Sequence, residues 1–380
     1  MKIIRPIRLT DLAELLHMAQ TAGAGFTSLP PDEDYLRGKI ELSLRSFAST
    51  VTEPGHERYM FVMEETDTGE VGACCAIEAA CGLDEAFYSY HVSFTVHASR
   101  DMGIYNKVPT LYLSNDLTGT SVLCSLYLRP DFRGTGAGKL LSKCRFLFMA
   151  NYPHRFAKKV IAEMRGVSDE QGRSPFWEGL GRHFFTVDYA HAEHIVGTGN
   201  KAFIAELMPP HPIYTVLLPE AARTVMGKVH PQTAPALHLL EQEGFRYQGY
   251  IDIFDGGPSV EAPLEEIRSI RRSQVVTVFV GKPAPGAPCL IANAELGNFR
   301  CAYAEYAIKN GHITLPPELA KALADAMRTE ARRQAFTIAG TQQLEVVQKV
   351  MESLQSAINE LGPRSVITFR QPGAASIQPP

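Results

Sequence analysis

The stretch "LYLRPDFRGTGAGKLL", Leu126 to Leu141, holds the residue types best suited to chemistry. An apolar run stops at Pro130, the glycines Gly134, Gly136 and Gly138 follow, and a new apolar-periodic segment begins. Strand, glycine turn and helix in that order make a phosphate holder. Glycines let successive backbone N–H groups turn toward one anion, and the start of a helix adds its positive end.

Three loops of this kind compete. The nucleoside-triphosphate loop, read to end at Gly138-Lys139, wants glycine where Arg133 stands and Ser or Thr where Leu140 stands. It would have no hydroxyl for magnesium, and it fails. The dinucleotide fingerprint fits Gly134 and Gly136 but needs a third glycine at Lys139, and it fails too. What remains is Arg133-x-x-Gly136-x-Gly138, which resembles the loop of the N-acetyltransferase-like acyl-CoA superfamily. On that resemblance Arg133, Gly134, Thr135, Gly136, Ala137 and Gly138 cradle the pyrophosphate of coenzyme A. The backbone of Leu126, Tyr127 and Leu128 would pair with the amide-bearing pantetheine arm, as a peptide adds to a sheet edge. The plain competitor is a glycine turn that binds nothing.

The surrounding elements must position this loop. "IIRPIRLTDLAELLHMAQ" reads as a strand, Thr10 as N-cap, and a helix with Leu12, Leu15, Leu16 and Ala19 on one face. "RYMFVMEETDTGEVGACCAIEA" reads as a hairpin turning at Asp67 to Gly69, and strand-rich sequence then runs from Tyr88 to the glycine loop. A helix at "KLLSKCRFLFMANY", a strand at "KVIAEMRG", a helix at "SPFWEGLGRHFF" and an apolar strand complete the first region. "APALHLLEQEGFRYQGYI" repeats that helix–glycine–aromatic–strand grammar, a hint of two related halves. Near the C-terminus, Leu344, Val347, Met351, Leu354, Ile358 and Leu361 form an a/d seam, too short to argue a coiled coil. "RQPGAASIQPP" is expected to be disordered.

The expected fold is therefore α/β (α+β): an N-acetyltransferase-like mixed sheet with flanking helices over residues 1–205, a second related α/β region over 206–310, and a helical tail over 311–380.

Longer blocks narrow the resemblance. "TSLPPDEDYL", "VHASRDMGIYNKVPTLYLSNDLTG", "LCSLYLRPDFRGTGAGKLLSKCRF", "VIAEMRGVSDEQGRSPFWEGLGRHFF" and "GKVHPQTAPALHLLEQEGFRYQGYIDIFDGGP" resemble the arginine N-succinyltransferase family over roughly residues 3 to 305. The resemblance implies transfer of succinyl from succinyl-CoA to the α-amino group of L-arginine. It places the family's proton donor on His230 and a succinyl-CoA contact on Leu126. Sequence beyond about residue 310 falls outside it, which bears on assembly more than on chemistry.

The residues support such chemistry. An α-ammonium must lose a proton before it attacks a thioester, the tetrahedral intermediate carries an oxyanion, and the leaving thiolate takes up a proton. No metal is needed. His230 lies just before a helix start expected at Thr233 and Pro235, whose positive end disfavours imidazolium. Backbone N–H groups near Leu126 to Leu128 would face the oxyanion. Arg165 and Arg173 could hold the succinyl carboxylate, since a guanidinium matches it bidentately. Glu163, Asp169 and Glu170 could hold the substrate's guanidinium, and Asn115 and Asp116 of "SNDLTG" could line the cleft; solvated loop charges are the plain alternative. His191 and His194 have H-x-x-H spacing but no third ligand nearby, so no metal site is expected. Cys124 reads as core packing rather than an acyl carrier.

Bulk properties exclude other classes. A net charge of −4 without a basic stripe argues against nucleic-acid binding. Seven irregularly spaced cysteines fit a reducing compartment. The charged start lacks a signal-peptide core, and no run approaches the roughly 18 apolar residues of a membrane span. A cytoplasmic homo- or hetero-oligomer is expected, binding L-arginine and succinyl-CoA, with no permanent cofactor. Succinyl transfer to ornithine or another basic amino acid, and a non-catalytic acyl-CoA-binding subunit, are the alternatives.

Overall fold

A computed structural model describes residues 1–22, 28–134, 136–189, 191–192, 195, 202–324 and 335–339. It begins as the sequence reads: β1 (Lys2–Pro6), then helix α1 (Leu12–Thr21). The N-cap is Asp11 rather than Thr10. Asp11 is buried, takes the Arg8 N–H at 2.7 Å and grips Arg5 with both oxygens at 2.6 and 2.8 Å, which ties β1 to the helix. A buried carboxylate is tolerable only when both its oxygens are engaged in this way.

Helix α2 (Glu33–Ala48) was not anticipated from the sequence, although its start carries a signal. Asp32 accepts the Tyr35 N–H at 2.8 Å, and Glu33 and Asp34 fill the first turn. Leu36, Ile40 and Phe47 then give it a buried face.

The hairpin is β2 (Arg58–Glu65) with β3 (Val71–Glu78), and Gly69 takes a positive φ at its turn. β4 (Ser89–Ser99), β5 (Ile104–Ser114) and β6 (Ser121–Leu128) follow. After the glycine loop come α3 (Ala137–Asn151), β7 (Lys159–Glu163) and the short α4 (Pro175–Gly179), capped by Ser174. Beyond β8 (Ile213–Tyr214), helix α5 (Ala234–Glu243) leads through Gly244 into β9 (Arg246–Ile251) and β10 (Pro258–Pro263). The described chain continues through β11 (Ser273–Val280), β12 (Pro285–Asn293) and β13 (Cys301–Tyr306). Its last elements are β14 (Ile308–Lys309), β15 (His312–Leu315), helix α6 (Pro317–Ala324) and β16 (Ala335–Ala339).

The sixteen described strands form one mixed sheet in the order β14-β15-β11-β16-β12-β13-β1-β2-β3-β6-β7-β10-β9-β4-β5-β8. The architecture is mixed α/β, as the sequence implied. The sheet does not divide at residue 205: β10 pairs with β7, β9 with β4, and β13 with β1. Nor is the chain past residue 310 a helical tail throughout, because β15 pairs with β11 and β16 lies between β11 and β12. The apolar alternation of "HITL", with Ile313 and Leu315 buried, is a strand signal that a search for helical spacing passes over. The a/d seam and the terminal "RQPGAASIQPP" lie outside the described residues. The proposed repeat also fails at its strand. Among the described residues the segment after Phe185 makes none before Ile213: Asp188 accepts the Ala192 N–H in a helical turn, and Tyr189 packs near Trp177.

The main core lies between the sheet and α3, which is buried on almost every side. Phe148 meets the rings of Phe47, Tyr59, Phe61, Tyr152, Phe156 and Phe299 at centroid distances of 5.0 to 5.9 Å. Helices α1 and α2 cover the opposite face over Met60, Val62, Cys74 and Ala76. The chain enters the glycine loop through Phe132, whose buried ring lies flush on the backbone of Gly72 in β3. A Cβ at residue 72 would run into that ring. Gly72→Ala is therefore expected to displace Phe132 and cost about 1–3 kcal/mol, read as a lower urea midpoint at unchanged slope.

Candidate active site

Two adjacent parallel strands frame the site. β6 and β7 pair only at Ser121 with Val160 and Val122 with Ile161 among the described residues. β6 runs on to Leu128 and β7 to Glu163, so beyond these pairs the two strands part. The carboxyl ends of parallel strands at such a break are where α/β sheets place ligands.

At the end of β6 stands the glycine loop. Gly134 and Gly136 have φ of +98° and +79°, a region open to glycine at little cost. Gly136 is the residue before α3, and the Ala137 N–H closes the turn on the Gly134 carbonyl at 2.9 Å. The positive end of α3 thus faces the loop. Leu128 lies beneath Gly138, its Cδ2 3.9 Å from where a Cβ would be, and Arg133 projects into solvent. The Lys2 ammonium donates to the Phe132 carbonyl at 2.7 Å, a second tie on the loop. Thr135 lies outside the described residues.

β6 is itself irregular. Cys74 pairs with Tyr127 and Ala76 with Cys124, so Ser125 and Leu126 together oppose Cys75 in a β-bulge. Ser125 takes φ +53°. The extra residue resets the alternation: Leu126 and Leu128 turn to the α3 side, and Tyr127 to the side of α1 and α2.

At the end of β7 stands His230. Its backbone N–H donates to the Arg165 carbonyl at 2.8 Å, and Val229 bridges to Gly166 beside it. Gly166 is fixed in turn by the buried Asp255, which takes the Gly166 and Gly257 N–H groups at 2.6 and 2.7 Å. Thr233 does precede α5, with Pro235 in the first turn, but its hydroxyl caps nothing. The His230 carbonyl accepts the Thr233 and Ala234 N–H groups instead, and the His230 Nδ1 accepts the Gln232 N–H at 3.2 Å. The neutral ring therefore carries its proton on Nε2. Burial, and then the nearby Arg165 charge, hold the imidazole below its ordinary pKa of 6.5.

Of the other sequence candidates, Arg165 is brought to His230, and its Nη2 donates to Ser168 at 3.1 Å. Asp169 and Arg173 pair with each other at 2.7 Å, and the Asp169 carboxylate also takes the Gln171 and Arg173 N–H groups. The Arg173 backbone contact first, then its guanidinium, holds the Asp169 carboxyl below the usual range. Glu170 is exposed beside them. Glu163 ends β7 opposite Ser259 of β10. Asn115 donates to the Phe87 carbonyl at 2.8 Å, and Asp116 accepts the Tyr250 hydroxyl at 3.0 Å, in the turn between β5 and β6. Cys124 is half-buried beneath α2, and the other six cysteines are buried; all seven are thiols. Burial raises the Cys124 pKa, the opposite of what an acyl carrier needs. His194 lies outside the described residues. Sequence reasoning missed the Ser125 bulge, which has no glycine to mark it, and Gln232, whose backbone rather than side chain acts.

A family model for the arginine N-succinyltransferase beta subunit matches residues 2–269, and one for that subunit's C-terminal domain matches residues 271–324. The chain belongs to the arginine N-succinyltransferase family. The match carries the likeness past residue 310, where the sequence had left it. Arginine N-succinyltransferases of Salmonella paratyphi B and Salmonella newport are 52% identical over 304 residues, 80% of this chain and 88% of theirs. The solved arginine/ornithine succinyltransferase subunit AI of Pseudomonas aeruginosa is 40% identical, with a TM-score of 0.82 over 90% of this chain and 99% of its own. The family is one of acyltransferases.

The environment of His230 makes a direct prediction. Its ring should titrate below 6.5 by NMR, and Arg165→Met should move it part of the way back, with burial retaining the remainder. An unmoved midpoint would remove Arg165 from the account.

Proposed function

We propose that this chain transfers succinyl from succinyl-CoA to the α-amino group of L-arginine, giving N2-succinyl-L-arginine and free CoA. One observation carries the proposal: a phosphate-type glycine loop and a neutral histidine sit at the carboxyl ends of two parallel strands that part between them. Relatives named arginine N-succinyltransferase support L-arginine as acceptor. The Pseudomonas neighbour's name adds ornithine as the second acceptor to test.

The coenzyme's pyrophosphate rests on residues 133–138 and the start of α3. Its pantetheine arm lies in the gap and pairs with the backbone of Leu126 to Leu128. The amine nitrogen attacks the thioester carbon, the carbonyl electron pair moves to oxygen, and N–H groups of the same strand meet that charge. Collapse breaks the C–S bond and leaves a thiolate. His230, neutral at pH 7, takes the proton that the ammonium loses. Imidazolium bears N–H on both nitrogens, so protonation also breaks the Gln232 contact at Nδ1. The ring is then a stronger acid than usual and passes its proton to sulfur. Arg165, beside His230, serves the succinyl carboxylate. We place the work in the cytoplasm, in keeping with seven free thiols and with no described helix long and apolar enough to cross a membrane.

Succinyl-CoA with L-arginine should release free thiol, with ornithine and lysine run in parallel. His230→Gln should lower kcat by about a hundredfold or more while leaving succinyl-CoA affinity unchanged. The wild-type rate should fall as pH drops through a value below 6.5, and that limb should vanish in the variant. Tight succinyl-CoA binding without turnover on any amine would instead make this a non-catalytic subunit.

Assembly has its own support. Among the described residues, β4 pairs with β9 only at Tyr90 and His91, and β5 with β8 only at Thr110 and Leu111. Past Val92 the two strands continue as a two-stranded arm. Its apolar face continues the pair formed by half-buried Val92 and buried Leu111, and it exposes Phe94 at 53% and Tyr105 at 70%. An isolated hairpin is marginal in water, and an apolar patch of this kind marks an interface. The protein should sediment as an oligomer, and Phe94→Lys with Tyr105→Lys should dissociate it. A wild-type monomer would overturn this.

A further inference from the structure

We propose that Arg58, a buried residue at the start of β2, is a positioning residue for the succinyl-CoA strand: it locks the Ser125 bulge. This rests on β6 being that strand.

Ser125 is not glycine, yet it holds φ +53°, a conformation that costs an L-residue roughly 1–2 kcal/mol. Such a residue persists only where its surroundings over-determine it. Here each of its polar atoms is engaged. Its N–H donates to the Ser28 hydroxyl at 3.2 Å, and its carbonyl accepts the Cys74 thiol at 3.4 Å. Its hydroxyl lies 3.4 Å from the Ser28 carbonyl and accepts the Arg58 Nη2 at 3.0 Å. Arg58 is 3% exposed and starts β2. It is itself held by an ion pair with Glu78, its cross-strand neighbour in β3, and its Nη2 also reaches the Cys124 sulfur at 3.5 Å. A guanidinium anchored on one strand thus spans β3 and grips the bulge on the next.

What the bulge decides is phase. Without the extra residue, Leu126 and Leu128 would fall on the side of Val122 and Cys124, and Tyr127 on the side of α3. The strand would then present its edge to the gap out of register with the glycine loop. The Arg58 contact is charge-assisted, and such bonds are about twice as strong as neutral ones, enough to decide between two registers of one strand. Ser28, between the described ends of α1 and α2, is drawn into the same network, with Lys39 Nζ donating to its carbonyl at 3.2 Å.

The test uses the whole protein and separate KM values for the two substrates. Arg58→Met should raise the KM for succinyl-CoA about tenfold or more, the scale of one lost charge-assisted bond, with the KM for arginine unchanged. Adding Ser125→Gly to Arg58→Met should recover most of that loss, because glycine adopts φ +53° unaided. A purely structural role for Arg58 would not be rescued at residue 125. Where Arg58→Met fails to fold, Ser125→Ala and Ser125→Gly decide: both lack the hydroxyl, and only alanine should raise the KM for succinyl-CoA. Wild-type KM in Arg58→Met, no rescue in the double variant, or equal effects of alanine and glycine would each overturn the inference. Absence of arginine-dependent thiol release from the wild type would instead overturn the role of the strand, and the inference with it.

Discussion

Two parallel strands that pair for two residues and then separate set the terms for the rest of the molecule. A sheet gains from every ladder bond it makes, and backbone groups left unpaired in a protein interior cost about 1–3 kcal/mol each. Beyond Val122 and Ile161, β6 and β7 forgo such bonds to each other, among the described residues. On the proposed reading an amide-bearing ligand arm fills the break, since it can bond to the strand edge as a neighbouring strand would. The elements around the gap keep it from closing. β3 holds β6 from the other side, β10 holds β7, and the bulge turns β6 away from regular pleating.

The two helices that carry the loop and the histidine are joined beneath the surface. Lys143 of α3 reaches Glu243 at the end of α5 at 2.6 Å, and the same carboxylate accepts the Ser269 N–H at 2.7 Å. Glu243 is 1% exposed, so removing either partner would leave a charge with nowhere to go. The pair is better regarded as a register pin than as a source of stability. It sets α5, and with it His230, relative to the glycine loop, while the aromatic cluster around Phe148 immobilises α3 itself. Loop geometry at the surface is thereby inherited from a packed interior.

The local grammar was legible where one residue type dictates one backbone state. Gly134 and Gly136 advertised the loop, Gly69 the hairpin, and Gly244 the end of α5. Hydrophobic period gave α1 and α3. Long-range facts were not legible. Nothing local tells that β13 pairs with β1, or that strands after residue 310 rejoin a sheet begun at Lys2, because pairing partners leave no mark in either strand alone. Helix α2 had its signal in "PPDEDYL" but competed with turn-forming residues just before it. At the site, the Ser125 bulge escaped notice because the strain is borne by tertiary contacts to Arg58 and Ser28, which sequence spacing does not encode. His230 stood out only through its resemblance, since a histidine in a proline-containing loop has many structural uses.

Charge economy around the gap bears on how the acceptor is chosen. The loop after β7 looked from its sequence like a reservoir of charges for both substrates, yet Asp169 and Arg173 neutralise one another and close their own turn. Using either for a substrate would mean breaking an existing pair, so a new contact would have to repay the lost one before adding any affinity. Among the described residues Arg165 hydrogen-bonds to Ser168 rather than to a carboxylate, and its charge bears on His230. A cation there suits a succinyl carboxylate and repels the guanidinium of an arginine side chain. On the proposed reading the two substrates would be sorted by sign, with the acyl chain's carboxylate toward Arg165 and the acceptor's basic end away from it. On that reading, discrimination between arginine and ornithine would belong to carboxylates remote from His230, where a planar guanidinium and a compact ammonium demand different geometry.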